Sequence, residues 1–391
     1  MNGFEHLTEL SARRMGGGVV AANDEFFGAA DHLVADHEPA FAPATFGPKG
    51  QIYDGWETRR RREAGHDHAI VRLGAAGQIH GVVVDTAHFL GNYPPEISVE
   101  ACGMEGYPSP SDLQAAVWTT IVPRSPVRGG QRNAFRTPPA ERYTHVRLSI
   151  YPDGGVARLH VHGVPLPDPR LLGTGACDLA AAEFGAIIES TSDSFYGSAA
   201  NLLLPGQATT MGEGWETARR RDGGHEWAVV QLAAPGRIGL AEIDTTHYKG
   251  NAPGACALHG ANARLVDLAD ESAWLELMPM TRLQPDTRHR FVVARHPAVT
   301  HVRLSTYPDG GVARLRLPGR IARADMADLG LRWFNALPEH QAEEVLAAAG
   351  RSLAMARNIV ARRPLTDPAL LPQTARGCRV APTVTRLYAA A

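Results

Sequence analysis

Two long stretches of this chain are near copies of each other. The block GWETRRRREAGHDHAIVRL at Gly55 to Leu73 returns as GWETARRRDGGHEWAVVQL at Gly214 to Leu232. VDTAHFLGN at Val84 to Asn92 returns as IDTTHYKGN at Ile243 to Asn251. THVRLSIYPDGGVARL at Thr144 to Leu159 returns as THVRLSTYPDGGVARL at Thr300 to Leu315. The first two pairs stand 159 residues apart (Trp56 to Trp215, Asn92 to Asn251) and the third 156 (Thr144 to Thr300), so the second copy is three residues shorter between its last two blocks. A duplication that keeps three blocks in order requires each copy to fold to the same topology, and a repeat of roughly 150 residues is large enough to hold its own core. Copy one is placed at 15–170 and copy two at 185–322. The Pro- and Gly-rich VPLPDPRLLGTG lies between them, and a helical tail at 330–391 follows.

Within a copy the pattern is that of strands. Val146, Leu148 and Ile150 alternate with His145, Arg147, Ser149 and Tyr151, the period of a half-buried strand, and that polar row reads as the strand's outward face. Pro152-Asp153-Gly154-Gly155 reads as a turn, and the alternation resumes over Val156 to Val161, predicting a hairpin. Ile70 to Leu73, Ile79 to Asp85 and Ile97 to Ala101 read as further short strands, and Asp178 to Ile188 as a helix. Many short strands with Gly/Pro turns predict a mainly β chain of two tandem jelly-roll sandwiches, an architecture that closes most sheet edges. In the tail, apolar residues at helical spacing predict one helix from Leu337 to about Arg362, bounded by Pro338 and Pro364.

A formal net charge of −2 supplies no global field for nucleic acid or an acidic membrane. No apolar run is long enough for a membrane span, and MNGFEHLTELSARR lacks the form of a signal peptide. Cys102, Cys177, Cys256 and Cys378 form no CxxC pair, which fits a reducing compartment. The expected setting is the cytoplasm, with no nucleic-acid or membrane partner. Self-association into a homo-oligomer is expected of duplicated sandwiches with exposed sheet faces.

Polar groups able to do chemistry gather in the first two blocks. Histidine exchanges protons near neutral pH, carboxylates orient it or act as bases, and arginine matches a substrate carboxylate. The candidate catalytic residues are His66, Asp67, Asp85 and His88, with His225, Asp244 and His247 in copy two. The candidate substrate-binding residues are Glu57, Arg60, Arg61 and Asn92, with Glu216, Arg219, Arg220 and Asn251. Each has a plainer reading beside it: Asp85 and His88 close a strand where Asp commonly caps a turn, and His66 and Asp67 suit a structural hydrogen bond equally well. No cofactor follows from these residues. A divalent metal such as Mn²⁺ is the one candidate, with Asp85 and His88 as its ligands, although D-T-x-H is no established metal signature.

At these blocks the chain resembles the allantoicases (allantoate amidinohydrolases), over roughly residues 15–320. The likeness rests on GWETRRRREAGHD, VDTAHFLGNYPP and HVRLSIYPDGGVARL with their counterparts in copy two; Ala218 and Glu226 depart from the first copy's Arg59 and Asp67. The resemblance implies tandem jelly rolls of the galactose-binding-like type and hydrolysis of allantoate to ureidoglycolate and urea, a step of purine and allantoin breakdown. Urea leaves intact, so the bond broken joins the central carbon to nitrogen. A site for that reaction must hold the carboxylate, protonate the departing urea and deliver water to the carbon. The tail segment RWFNALPEHQAEEVLAAAGRSLAMARNIVARRP is similar to the opening helices of the ureidoimidazoline decarboxylases, without room for that family's catalytic segment. The alternative reading is a non-catalytic tandem carbohydrate-binding sandwich.

Overall fold

In the computed structural model, residues 3–138, 141–173 and 175–371 are described. Cys378 and the end of the expected tail lie outside them. The chain divides into two units, the described residues of Met1–Leu166 with Ala336–Ala361, and those of Pro167–Asn335 with Arg362–Ala391. Among the described residues no helix is long and apolar enough to cross a membrane.

The organising element of the first unit is longer than the blocks suggest. Instead of two short strands at Ile70 to Leu73 and Ile79 to Asp85, one 19-residue strand runs from Asp67 to Asp85. Its small residues Gly74, Ala75, Ala76 and Gly77 let it pass unbroken from one sheet of the sandwich into the other. We number the main strands β1 (Gly18–Ala22), β2 (Asp67–Asp85), β3 (Glu96–Cys102), β4 (Thr119–Pro126), β5 (Arg132–Arg136), β6 (Arg142–Tyr151) and β7 (Arg158–Pro165). The first half of β2 pairs with β1 and with β6, and β6 continues the sheet through β3 to β4. Its second half pairs with β5 and β7. Ile70, Val82, Val84, Val99, Val146, Leu148, Leu159 and Val161 are buried, as alternation over apolar residues requires.

In the second unit the strands are β8 (Ile187–Thr191), β9 (Glu226–Ile238), β10 (Leu240–Asp244), β11 (Ala255–Ala261), β12 (Leu275–Arg282), β13 (Arg288–Val292), β14 (Val299–Tyr307), β15 (Arg314–Arg316) and β16 (Pro318–Ile321). Here the long strand is broken after Ile238. Its halves fall into separate sheets, β9 with β8, β14 and β16, and β10 with β13 and β15. Where a helix was expected over Asp178 to Ile188 there is a strand pair at Cys177–Asp178, a single 3₁₀ turn at Ala182–Phe184 and the start of β8. Gly185 at φ +100 ends that turn before a helix can form.

The expected hairpin does not form either. β6 and β7 pair with opposite halves of β2, never with each other. The cause lies in the turn between them. Gly155 and Val156 pair with Glu57 and Trp56, which carries the chain from one sheet to the other. Gly154 and Thr58 exchange backbone and hydroxyl hydrogen bonds, both at 3.2 Å, Gly155 donates to the Asn92 carbonyl at 2.7 Å, and Asp153 accepts the Arg61 backbone N–H at 2.8 Å. Copy two repeats the set: Gly310 donates to Thr217, Gly311 to the Asn251 carbonyl, and Asp309 accepts from Arg220. All three sequence blocks meet at this one turn. Only glycine suits it: Gly154 has φ +146, and a Cβ there would stand 2.6 Å from the Pro94 nitrogen.

The tail is also divided. In place of one helix over Leu337 to Arg362 there are α1 (Arg323–Ala336), α2 (Glu339–Ala348) and α3 (Leu353–Val360). Gly350, at φ +82, lies in the break, and Ser352 caps α3 by accepting from the Met355 N–H at 3.3 Å. Gln341 of α2 donates to Glu105 of the first unit at 3.0 Å.

Gly154→Ala is expected to lower stability by about 2 kcal/mol or more, because strain and a backbone clash act together. Gly350→Ala also has positive φ, but its Cβ would meet open space, so it should cost only about 1 kcal/mol. Thermal melts of the two variants check the difference.

Candidate functional site

The outward face of the β1–β2–β6–β3–β4 sheet is not a plain solvated surface. His145 and Ser149 are only 1% and 2% exposed, although the polar row to which they belong reads as the strand's exterior. A local cluster of Ile70, Cys102 and Leu113, with Trp118 against it, covers one end of that face. Burial pulls the His145 ring down to about 4. The remainder of the face is a hollow of about 770 Å³ lined by polar side chains of the sheet and of the segment before β2.

Strand register explains which groups meet there. Ser149 of β6 stands opposite His68 of β2 and Ser98 of β3, so these three form a row across the sheet. In the neighbouring row Arg147 stands opposite Glu100, which stands opposite Thr120. Arg147 pairs with Glu100 (Nη2 to Oε2 2.6 Å) and lies 4.6 Å over the Trp118 ring. Arg124 pairs with Glu96 at 2.5 Å and lies 4.4 Å over Tyr151, whose hydroxyl is 3.0 Å from Ser98 Oγ. Burial, then the charges of Arg147 and His66, hold His68 below the ordinary histidine range.

Above the sheet sit Arg61, His66 and Asp67. Asp67 is 1% exposed; its Oδ1 accepts from Arg61 Nη1 at 2.5 Å and from Asn23 Nδ2 at 3.0 Å. A buried carboxylate of this kind is tolerated because it is paired and hydrogen-bonded. The pair holds Arg61 at the rim of the hollow, half-buried. His66 is exposed and lies on the Tyr151 ring at 4.7 Å, with His68 6.4 Å away. Of the first copy's candidates, the structure therefore brings Arg61, His66 and Asp67 together.

Four other candidates go elsewhere. Asp85 is buried and accepts the Ala87 N–H at 2.8 Å, which caps the turn after β2. His88 occupies the left-handed region at φ +68, donates Nε2 to the Pro39 carbonyl at 3.0 Å and stacks on Phe41. Asp244 and His247 do the same in copy two, Asp244 capping Thr246 and His247 (φ +74) bonding the Ala208 carbonyl. None of the four lines the hollow. His88 is hydrogen-bonded through Nε2 and Asp85 through Oδ1. Among the described residues no three His, Cys, Asp or Glu side chains are grouped to hold a metal.

Asn92 donates to Glu57 at 2.7 Å, and Asn251 to Glu216 at 2.5 Å. Each pair braces the Gly-Gly turn rather than lining the hollow. Burial pushes the Glu57 carboxyl up, against the Asn92 hydrogen bond. Arg60 and Arg219 are exposed. In copy two Arg220 pairs with Glu226 at 2.9 Å and His225 lies on Tyr307 at 4.7 Å, a close match to Arg61, Asp67, His66 and Tyr151.

A family model described as the allantoicase repeat matches twice, over residues 8–166 and 177–322. The chain belongs to the allantoicase family. The protein named "Probable allantoicase" of Nocardia farcinica is 53% identical over 322 residues, which is 82% of this chain and 96% of that relative. Its counterpart in Streptomyces avermitilis is 46% identical over 343 residues, 84% of this chain and 90% of the relative. The crystal structure of allantoicase from Saccharomyces cerevisiae superposes with a TM-score of 0.68 at 35% identity, covering 80% of this chain and 93% of that one.

Sequence reasoning missed His68, Glu100, Arg124 and Arg147 as groups of this hollow. Its period-two row contained Arg147 and Tyr151, but only the pairing of β2, β6, β3 and β4 shows what faces them. Removing the buried partner of the Arg61 pair, by Asp67→Ala, is expected to cost about 1.5–3 kcal/mol. Arg124→Met, which breaks an exposed pair, should cost less than about 1 kcal/mol. Chemical denaturation of both variants checks this.

Proposed function

We propose that this chain is an allantoicase that hydrolyses allantoate to ureidoglycolate and urea, with the arginine–histidine–carboxylate set on the outer sheet face as its site. The observation that carries the placement is the single hollow of about 770 Å³ onto which Arg61, His66 and His68 converge in a member of this family. Arg61 is the group for the substrate carboxylate: Asp67 occupies only one of its terminal nitrogens. Asp67 is a positioning residue that fixes that guanidinium. His66, exposed beside Tyr151, is free to exchange a proton with a departing ureido nitrogen. Water's oxygen bonds to the central carbon as the carbon–nitrogen bond breaks. One proton of the water goes to a base, and one proton from an acid goes to the urea.

The carbohydrate-binding alternative is not favoured by the allantoicase relatives. The proposal extends to a cytoplasmic setting without nucleic-acid or membrane partners, in keeping with the near-neutral charge and with Cys102, Cys177 and Cys256 standing free. It extends to self-association as well, for Phe26, Phe27 and Phe46 are exposed on the first unit. The tail is proposed to serve docking, without decarboxylase activity.

Purified protein incubated with allantoate should release urea and ureidoglycolate in equal amounts; ammonia without urea would overturn the assignment. His66→Asn is expected to lower kcat by about 10²–10⁴-fold. Arg61→Met should raise KM at least about tenfold, as loss of a charge-assisted contact does.

A further inference from the structure

We infer that the reaction runs in the first repeat alone and that His68 is its second catalytic histidine, the proton partner of His66. The inference rests on the outer-face hollow being the active site. It goes further by separating two repeats that their shared blocks make look equivalent.

The separation comes from the rows across the two sheets. In the first repeat the row is His68, Ser149, Ser98. In the second, the same register gives Trp227, Ser305, Ala257. The adjoining row of Arg147, Glu100 and Thr120 becomes Arg303, His259 and Glu276. The position of Arg124 on β4 is taken on β12 by Met280. The frame around these rows is retained, with Arg220, His225 and Tyr307 standing as Arg61, His66 and Tyr151 do. What differs is the floor on which a substrate would lie.

Those changes remove the chemistry. Indole has no site that takes up a proton near neutral pH, so Trp227 cannot replace His68. Trp227 instead packs with Leu268 against Val229, Ala261 and Trp274. Arg303 is drawn to Glu271 at 2.7 Å. His259 stands at the Glu100 position, two strands from β9, where burial and the charge of Arg303 hold it below the ordinary histidine range. The second repeat therefore keeps His225 but has no imidazole at the position of His68.

In the first repeat the two rings flank the hollow with their centroids 6.4 Å apart, and no side-chain hydrogen bond occupies the His68 ring among the described residues. Asn23 fixes the backbone beneath it by accepting the His68 N–H at 2.7 Å. His68, kept neutral by its surroundings, takes a proton from water as the oxygen bonds to the central carbon. His66 gives its proton to the ureido nitrogen as the carbon–nitrogen bond breaks. Urea and ureidoglycolate leave, and exchange with solvent returns both rings to their starting states.

Mirror substitutions test this in the full chain. His68→Asn is expected to lower kcat about 10²–10⁴-fold with the melting temperature retained. Trp227→Phe should leave kcat within about twofold, as expected of a packing residue remote from the reaction. His68→Gln provides a second, longer replacement should the asparagine variant not fold. N-carbamoylglycine, which carries a carboxylate and one ureido group, should bind the unaltered protein at one site per chain by calorimetry. Folded His68 variants that keep their turnover would overturn the inference. So would a Trp227→Phe loss as deep as that of His68→Asn, or binding at two sites per chain. Unaltered protein that releases no urea would sink the activity itself, a distinguishable failure.

Discussion

The turn at Asp153, Gly154 and Gly155 is the junction on which each repeat depends. A chain leaving β6 must cross to the other sheet within a few residues, and the backbone groups exposed in crossing have to be satisfied. Thr58, Asn92 and the Arg61 N–H supply or take those bonds, and Phe89 lies where a Cβ on Gly155 would fall, 2.1 Å away. Three distant pieces of sequence are thereby locked to one another. In copy two Tyr248 replaces Phe89 under Gly311, and its hydroxyl reaches the Met211 carbonyl at 2.7 Å, yet the junction is unchanged. The retention of all three blocks in both copies follows from this geometry, although the second copy is three residues shorter between its last two blocks.

The same junction places the chemistry. Tyr151 ends β6 immediately before the turn, and Arg61 is bound to the turn through its own backbone, so ring and guanidinium arrive at the rim of one hollow. His66 is then held between the Arg61 segment and the start of β2, where Asp67 is buried. A site assembled in this way sits on rigid strands at one side and on a loop braced at two points on the other, which suits fixed positioning of a small substrate.

Alternation and turn residues made the β architecture and both copies legible, because period two and Gly/Pro punctuation report local backbone directly. They could not show that Gly74 to Gly77 continue a strand, since small residues carry no pattern. They could not show that β6 and β7 part company, since pairing partners are a long-range choice. At the site, Arg61, His66 and Asp67 were legible as a polar block. Asp85 and His88 looked equally chemical, but a turn cap and a carbonyl bond account for them. His68 was hidden for the opposite reason: it occupies an ordinary outward position, and its neighbours Ser98 and Ser149 become neighbours only through the sheet.

Duplication thus sorts residues in a way that runs against first intuition. A residue retained in both copies has been kept by something both copies need, and the need they demonstrably share is the crossing turn with its braces, Thr58 and Thr217, Asn92 and Asn251, Asp153 and Asp309. Among the differences between copies are those on one sheet face, where His68 aligns with Trp227, Ser98 with Ala257 and Arg124 with Met280. These substitutions exchange polar groups for apolar ones on a surface that the fold leaves free to vary. A face under no constraint would drift to a scatter of solvated residues; the first repeat instead holds paired charges and a histidine around a hollow, and the second carries a packed tryptophan at that histidine's position. What separates the two repeats chemically therefore has to be sought where the copies part, on a frame set by where they agree.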